Sequence, residues 1–453
     1  MRAIPLLATA IALLWVLSSC EERVPPPRLL LLVTVDTLRA DHLGVYGAAP
    51  GFTPHLDRLG RESIVFDSAY TPAPHTLAAM SATMTSRYPE EVGVQSNLTP
   101  LDPGAATLAK WLRERGWRTA AVVSNYVLRR ASGIDSGFER FDDHMRRREE
   151  VRRIPERAAQ QTTAAALAAL DGLRGEQPVF LWVHYQDPHG PYAPPEFRRS
   201  AFLEAEARTP DGQRLLPLGE GDSGQGGLPA YQLLNGRKDV AFYRAGYKGE
   251  VSYVDAQIGR LRAGLEERGL WSRTAVLFAA DHGEGLGESE YWFAHGERIT
   301  EVLIRVPLML RVPGRRAERR RGRVSLLDVF PTLTKLAGSP EAPSARGGDL
   351  LAAGAPEPFY TSTLRAAAAR HDGLVSGEWK YVRVRRSSGG SEQLFRIGDD
   401  ALDVAARQPE VVATLRRELD ALQRSMRVAA PLPGRQLTPE EREALKALGY
   451  VED

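Results

Sequence analysis

"LLLLVTVD" (residues 29–36) is an almost unbroken apolar run that ends on a carboxylate. A strand with one wet face alternates polar and apolar residues. A run that is apolar at odd and even positions alike belongs to a strand covered on both faces, as in a parallel sheet flanked by helices. The end of the run carries a second piece of information. Open α/β sheets bind ligands at the carboxyl ends of their strands, so Asp36 stands where chemistry would gather.

The same pattern continues along the chain. "WRTAAVVS" (117–124), "PVFLWVHY" (178–185), "RTAVLFAAD" (273–281) and "VPLMLRVP" (306–313) read as further strands. Helical stretches separate them. "TPHLDRLGRES" (53–63) offers Thr53 as N-cap and Pro54 at the first helical position. "ATLAKWLRERG" (106–116) is amphipathic and stops at Gly116, "RAAQQTTAAALAALDGL" (157–173) is Ala-rich, and "YKGEVSYVDAQIGRLRAGLEERG" (247–269) is long. "VSLLDVFPTLTKLAG" (324–338) closes the series with a helix. Strands alternating with helices predict a doubly wound α/β domain with a mainly parallel sheet.

Residues 200–240 are glycine-rich and aperiodic, and read as an insertion loop near the site mouth or a mobile linker. Beyond them the style changes: "SGEWKYVRVRR" and "SEQLFRIG" alternate like antiparallel strands, and "VVATLRRELDALQRSM" is a helix that would pack on them. The expected organisation is a catalytic domain over 29–345 and a smaller C-terminal α+β subdomain over 346–453.

The chain has 453 residues, 43% hydrophobic and 26% charged, which is ordinary for a globular protein with one large and one smaller unit. A net charge of +2 points to no nucleic-acid partner, and none is expected. The one basic run, "GRRAERRRGR" (314–323), reads as a solvated loop. At the N-terminus an early Arg, an apolar run from Ile4 to Leu17 and small residues after it have the pattern of a secretory signal over 1–19. The run is too short to span a membrane comfortably. Leu17-Ser18-Ser19-Cys20 resembles a bacterial lipobox. That resemblance implies lipidation of Cys20, a linker over 20–28, and a lipid-anchored place in the bacterial cell envelope, facing the periplasm or exterior. An ordinary signal peptide is the alternative. Cys20 is the single cysteine, so the mature body has no intramolecular disulfide, cysteine zinc site or cysteine nucleophile.

Candidate chemistry collects at the strand ends. Asp36 follows the first strand; "HYQDPHGPY" carries His184, Asp187 and His189; Asp281 and His282 follow another strand; His295 lies in "YWFAHGE". Carboxylates and imidazoles converging on one edge are the makings of a divalent-metal site. Taken singly, each Asp would do equally well as a helix N-cap. Thr76 begins the run "TLAAMSATMTS", which reads as a helix. Its hydroxyl is either a helix cap or, beside a metal, an activated nucleophile. A helix start there would also favour a bound phosphate or sulfate.

"VTVDTLRADHLGVYG" (33–47), "TPAPHTLAAMSATMTSRYP" (71–89) with "GVQSN" (93–97), "HYQDPHGPYAPP" (184–195), "YKGEVSYVDAQIGRL" (247–261), "AADHGEGLGE" (279–288) and "RVPLMLRVPG" (305–314) occur in the order of the sulfatase family. The chain resembles that family, part of the alkaline-phosphatase superfamily, over most of 29–453, and "LTPEEREALKALGYVED" (437–453) is similar to the ends of bacterial members. The resemblance implies that Asp36, Thr76, Asp281 and His282 ligate one divalent metal. Asp187, His189 and His295 would ligate a second; in one-metal members His189 and His295 would instead touch the substrate or protonate the leaving group. Arg39 and Lys380 are further family-like positions, Lys380 either reaching an anionic substrate or lying solvated at the surface.

The departures from the family are informative. Its main type carries Cys or Ser in a C/S-x-P-x-R motif, oxidised to formylglycine. Here Thr76 holds that position, with Ala78 in place of the Pro and Met80 in place of the Arg, and no such motif occurs elsewhere. No formylglycine is therefore expected. Thr37 after Asp36 reduces the carboxylate pair, so a mixed Asp/His set suits zinc or manganese better than calcium. Threonine is the nucleophile in related phosphodiesterases and nucleotide pyrophosphatases, which place an Asn 21 residues later to touch a phosphate oxygen; here that residue is Asn97. Read as a plain loop residue, Asn97 would be a turn former. The expectation is a metal-dependent hydrolase, with one or two ions, that cleaves a small anionic ester or a glycan or lipid ester, sulfate or phosphate, through Thr76. The alternatives are an envelope phosphoryl-group transferase and a non-catalytic lipoprotein that binds through the same fold.

Overall fold

Strand β1 (Leu29–Val35) is buried at all seven positions, as its apolar run requires. It lies between β5 (Val179–Tyr185) and β6 (Thr274–Ala280), parallel to both. The computed structural model describes residues 26–432, apart from 152, 174, 222, 340–344, 353–357 and 364–368. The expected signal peptide, Cys20 and the ending 437–453 lie outside these residues.

The remaining strands of the large sheet are β2 (Ile64–Tyr70), β3 (Arg118–Val123), β4 (Arg140–Asp142), β7 (Arg305–Arg311) and β8 (Glu318–Ser325). The eight strands run in the order β8-β2-β7-β6-β1-β5-β3-β4, and only β7 is antiparallel to its neighbours. Helices cover the sheet: α1 (Pro54–Arg61), α2 (Thr76–Thr85), α3 (Leu108–Arg113), α4 (Ala159–Asp171), α5 (Glu196–Ala207), α6 (Val240–Glu267) and α7 (Val329–Leu336). This is the doubly wound, mainly parallel architecture expected of the repeated apolar runs.

Three local readings change. The basic stretch 314–323 is not a loop: much of it is edge strand β8, parallel to β2 with an irregularity between Arg320 and Arg323. Arg319 bonds Asp67 at 2.5 Å, and charges along an open edge discourage pairing with another chain. An edge strand has one partner and no obligatory alternation, which is why its charges read as loop. Strand β2 has a polar centre, Asp67-Ser68, that hides it among neighbouring turns. Residues 200–240 begin within α5 and then pack rather than hang free: the hydroxyl of Tyr231 and the side-chain amide of Gln232 donate to the Phe293 carbonyl at 3.1 and 3.0 Å.

The small C-terminal unit is an antiparallel sheet of β9 (Phe359–Ser362), β10 (Arg370–Ser376), β11 (Trp379–Arg386) and β12 (Gly389–Arg396), with α8 (Pro409–Ser425) packed on it. Its other face meets the large domain, where Val382 and Val384 pack with Tyr70, Ile299 and Ile304. Among the described residues, no helix is long and apolar enough to cross a membrane.

Candidate active site

Register alone brings the first residues together. Val35 lies opposite Ala280 in the parallel pair, so Asp36 and Asp281 leave neighbouring strand ends side by side. Thr34 lies opposite His184, whose Nδ1 is 2.8 Å from the Thr34 hydroxyl and whose Nε2 is 3.6 Å from Asp36. His282 follows Asp281, with Nε2 3.8 Å from Asp36 Oδ1 and 3.6 Å from Asp281 Oδ2. Gly283 is needed at the next position, because a Cβ there would lie 1.8 Å from the Val302 carbonyl oxygen. Thr37 takes a positive φ of 53°, costly for a β-branched residue. Its N–H donates to Asp281 Oδ1 at 3.1 Å and its carbonyl accepts from the Tyr247 hydroxyl at 2.8 Å, which hold the turn in place.

Thr76 completes the group from another element. The N-cap of α2 is His75, not Thr76, so the hydroxyl is not used as a cap. Thr76 Oγ1 lies instead 3.4 Å from His282 Nε2. The helix behind it is buried at all ten positions, as an apolar, small-residue sequence allows. Ala78 and Met80 are fully buried packing residues of this helix. Asn97 accepts the Leu77 N–H at 2.9 Å through its side-chain oxygen and so pins the helix start, a more specific task than a turn.

The electrostatics of the cluster are those of a site awaiting positive charge. Asp36, Asp281, His184 and His282 are all inaccessible to solvent. Burial pushes Asp36 up to about 7, against the lowering effects of His295 and the Asn125 amide. Burial and the neighbouring Asp36 carboxylate drive Asp281 well above the usual carboxylate range. Burial holds His184 down to about 4 and His282 well below its ordinary value. Asp36 Oδ1, Asp281 Oδ2, Thr37 Oγ1 and His184 Nε2 are buried with no hydrogen-bond partner. Orphaned buried polar atoms are rare, and several converging ones mark a missing ligand. Asp36, Asp281 and His282 each place a ligand atom within 4.8 Å of the others. Carboxylate oxygens and a neutral imidazole are the donors a divalent cation takes, so the residues fit such an ion.

A second layer braces the first. His295 donates through Nδ1 to Glu284 at 3.1 Å, and Tyr192 donates to the other Glu284 oxygen at 3.0 Å. The His295 ring is 4.5 Å from that of His282 and 5.1 Å from that of His189. Burial opposes the charged form of His295, yet Glu284 outweighs it and raises its pKa. Asn125 donates to Asp36. The glycine after His295, Gly296, has φ +92° and passes His75 so closely that a Cβ would lie 2.7 Å from the ring. Arg39 is buried and ties the turn after Asp36 to the segment after His282, donating to the Glu284 carbonyl at 3.2 Å and to Glu288 at 2.6 Å.

Of the residues expected at the site, Asp36, Thr76, Asp281, His282, His189, His295 and Asn97 are brought to one strand edge. Asp187 is not. It is buried beside the Glu250 carboxyl of α6, and burial raises the pKa of both. Among the described residues, Asp187, His189 and His295 do not form a group whose ligand atoms lie within 4.8 Å of one another. Lys380 is not solvated: it is fully buried, paired with Asp400 and 3.8 Å from Glu301. Glu284, Asn125 and Tyr192 were missed as individual residues. Glu284 lies two positions after His282, and Asn125 just past a strand end, where polar residues already gathered.

A doubly wound sheet carries a buried Asp/His cluster at its strand ends, with a hydroxyl at a helix start beside it. The sulfatase family profile matches residues 28–339. An arylsulfatase of Clostridium perfringens is 25% identical over 366 residues, covering 68% of this chain and 74% of the relative. Among solved structures, BT4656 in complex with its substrate D-glucosamine-2-N,6-O-disulfate superposes with a TM-score of 0.73 at 18% identity, covering 90% of this chain and 99% of that one. A phosphonate monoester hydrolase of Agrobacterium radiobacter gives a TM-score of 0.67 at 20% identity over 88% and 96% of the two chains. The chain belongs to the sulfatase family, and its class is that of the sulfuric and phosphoric ester hydrolases.

Proposed function

We propose that the protein is a metal-dependent hydrolase of an anionic sulfate or phosphate ester, with Thr76 as nucleophile. The observation that carries this reading is the Thr76 hydroxyl, unspent as a cap, 3.4 Å from His282 beside Asp36 and Asp281. Asp36, Asp281 and His282 would hold one divalent ion, and zinc or manganese suits that donor set. When bound, such an ion supplies Lewis acidity, which lowers the pKa of a nearby hydroxyl and draws charge from an ester oxygen.

The chain's own groups do the rest. The N-terminus of α2 faces the anion with its positive dipole end. Asn97, fixed against Leu77, turns its amide toward a non-bridging oxygen. Thr76 gives its hydroxyl proton to solvent water, and Oγ forms the bond to sulfur or phosphorus as the bond to the leaving oxygen breaks. His295, held by Glu284, gives that oxygen its proton, with His189 alongside. Water then attacks the Thr76 ester, and the threonine hydroxyl is restored with one of its protons. The membrane anchor at Cys20 belongs to the same proposal, and the mass of the N-terminal peptide from the native host checks it.

The test is turnover of an aryl sulfate, an aryl phosphomonoester and an aryl phosphodiester by zinc- or manganese-loaded enzyme, with Thr76→Ala alongside. We expect Thr76→Ala to lower kcat by at least about 10³-fold. Turnover that survives the substitution would sink the threonine mechanism.

A further inference from the structure

The segment Ser289–Thr300 and the inner face of the small sheet line a cavity of about 350 Å³. Its walls include Arg298, His371, Lys380, Arg386, Gln393 and Asp400. Strand geometry explains the grouping. Alternation along β11 puts Lys380, Val382 and Arg386 on one face, and register brings Gln393 of β12 opposite Val382.

The charges are not balanced in the same way across the cavity. Lys380 is already paired with Asp400. Among the described residues, Arg298 donates to neutral oxygens, those of the Gln225 side chain and the Ser289 carbonyl. Arg386 is exposed and has no ion-pair partner among the described residues. On the same cavity wall, His371 Nδ1 is buried with no hydrogen-bond partner among the described residues. Burial, then Arg386 and Arg298, hold the His371 pKa down to about 4 against the raising effect of Asp372. Asp403 also lines the cavity, and its carboxylate accepts the Leu394 and Ala405 backbone N–H groups at 3.0 and 2.9 Å. Two guanidinium groups that neither Asp400 nor Asp403 pairs, near an orphaned ring nitrogen, make a receptor for an oxyanion.

The cavity is coupled to the catalytic edge. The His371 backbone N–H donates to the Thr363 hydroxyl at 3.0 Å, and the Thr363 carbonyl accepts from His75 Nε2 at 2.9 Å. His75 directly precedes Thr76. From the other side, Arg298 follows His295 by three residues, a chain path of at most about 10 Å.

We infer that this cavity is a substrate subsite for a second oxyanion. The substrate carries, besides the ester that Thr76 attacks, another sulfate or carboxylate that Arg298, Arg386 and His371 hold. The inference uses the hydrolase reading above only to locate the scissile ester.

The experiment measures binding by calorimetry to the full chain carrying Thr76→Ala, so that no turnover intervenes. Three probes separate the sources: glucosamine 6-O-sulfate as the single-anion reference, glucosamine 2-N,6-O-disulfate for a second sulfate, and a 2-O-sulfated uronic acid for a carboxylate. We expect at least one doubly charged probe to bind about tenfold or more tighter than the reference. Added Arg298→Gln and Arg386→Gln should abolish that gain, and Arg386→Gln alone, at an exposed position, should reduce it. Unfolding midpoints report folding of each variant separately. Equal binding of all three probes, a gain that survives both substitutions, or no binding of any probe would overturn the subsite. Aryl-ester turnover by the wild type tests the Thr76 reading separately, so the two can fail independently.

Discussion

In the small sheet, Asp372 is fully buried and accepts hydrogen bonds from Tyr360 at 2.9 Å, Arg370 at 3.1 Å, Arg385 at 2.9 Å and Gln423 at 3.2 Å. At the carboxyl edge of the large sheet, Asp36 and Asp281 are buried just as completely, lie against each other, and each keep an oxygen with no partner. Lys380 repeats the first pattern, with Asp400 and Glu301 beside it. One region buries charge together with its counter-charge, which keeps the structure in register without demanding a ligand. The other buries like charges together and leaves the counter-charge to come from outside. Uncompensated buried charge is expensive, so its presence at a strand edge marks function rather than stability.

That contrast can be broken by neutralising one charge in each region. Asp281→Asn should lose the bound divalent ion and lower kcat by about 10³-fold or more. Elemental analysis of the variant that still finds a full complement of zinc or manganese would remove Asp281 from the site. The same substitution should raise the stability of the metal-free protein by about 1–3 kcal/mol, because it relieves the facing carboxylates. Lys380→Met should do the opposite. It leaves Asp400 and Glu301 without their cation and should cost about 3–5 kcal/mol in denaturant unfolding. A Lys380→Met variant as stable as the wild type would show that the pair is screened and that the contrast between the regions is only apparent.

The smallest effect concerns His371. Its depressed pKa means that the unfolded chain binds more protons than the folded one between about 4 and 6.5. The stability linked to this residue is therefore complete above that window and is lost as pH falls through it. NMR titration should find the ring neutral at pH 7 and, in Arg386→Gln, a pKa shifted upward, since a neighbouring cation is gone. An unchanged titration would separate Arg386 from His371 and weaken the cationic cavity.

Much of the catalytic edge was legible because its residues follow apolar runs directly. Asp36, Asp281 and His282 need only strands of the right register to meet, and the runs announce the strands. Thr76 was legible through its helix and its family-like surroundings. The surroundings of Asp187 were not legible, because one peptide turn decides which way a side chain points and "QDPHG" carries no periodicity that reports it. Lys380 was misread because a charged residue within an alternating strand gives no sign that Asp400 and Glu301 fold over it. Edge strand β8 was hidden because pairing on one side leaves its sequence free to be charged.

The order of apolar runs and breaks, read locally, determined the doubly wound sheet, the strand ends and the residue types that meet there. Those features follow from burial and backbone period, which act over a few residues at a time. Only the tertiary structure decided which groups are paired and which stand unsatisfied. It set Glu284 behind His295, turned Asp187 to Glu250, and left two arginines facing His371 across a cavity. Such pairings depend on where distant segments of chain come to rest, and electrostatic cost is settled by those distances rather than by sequence spacing.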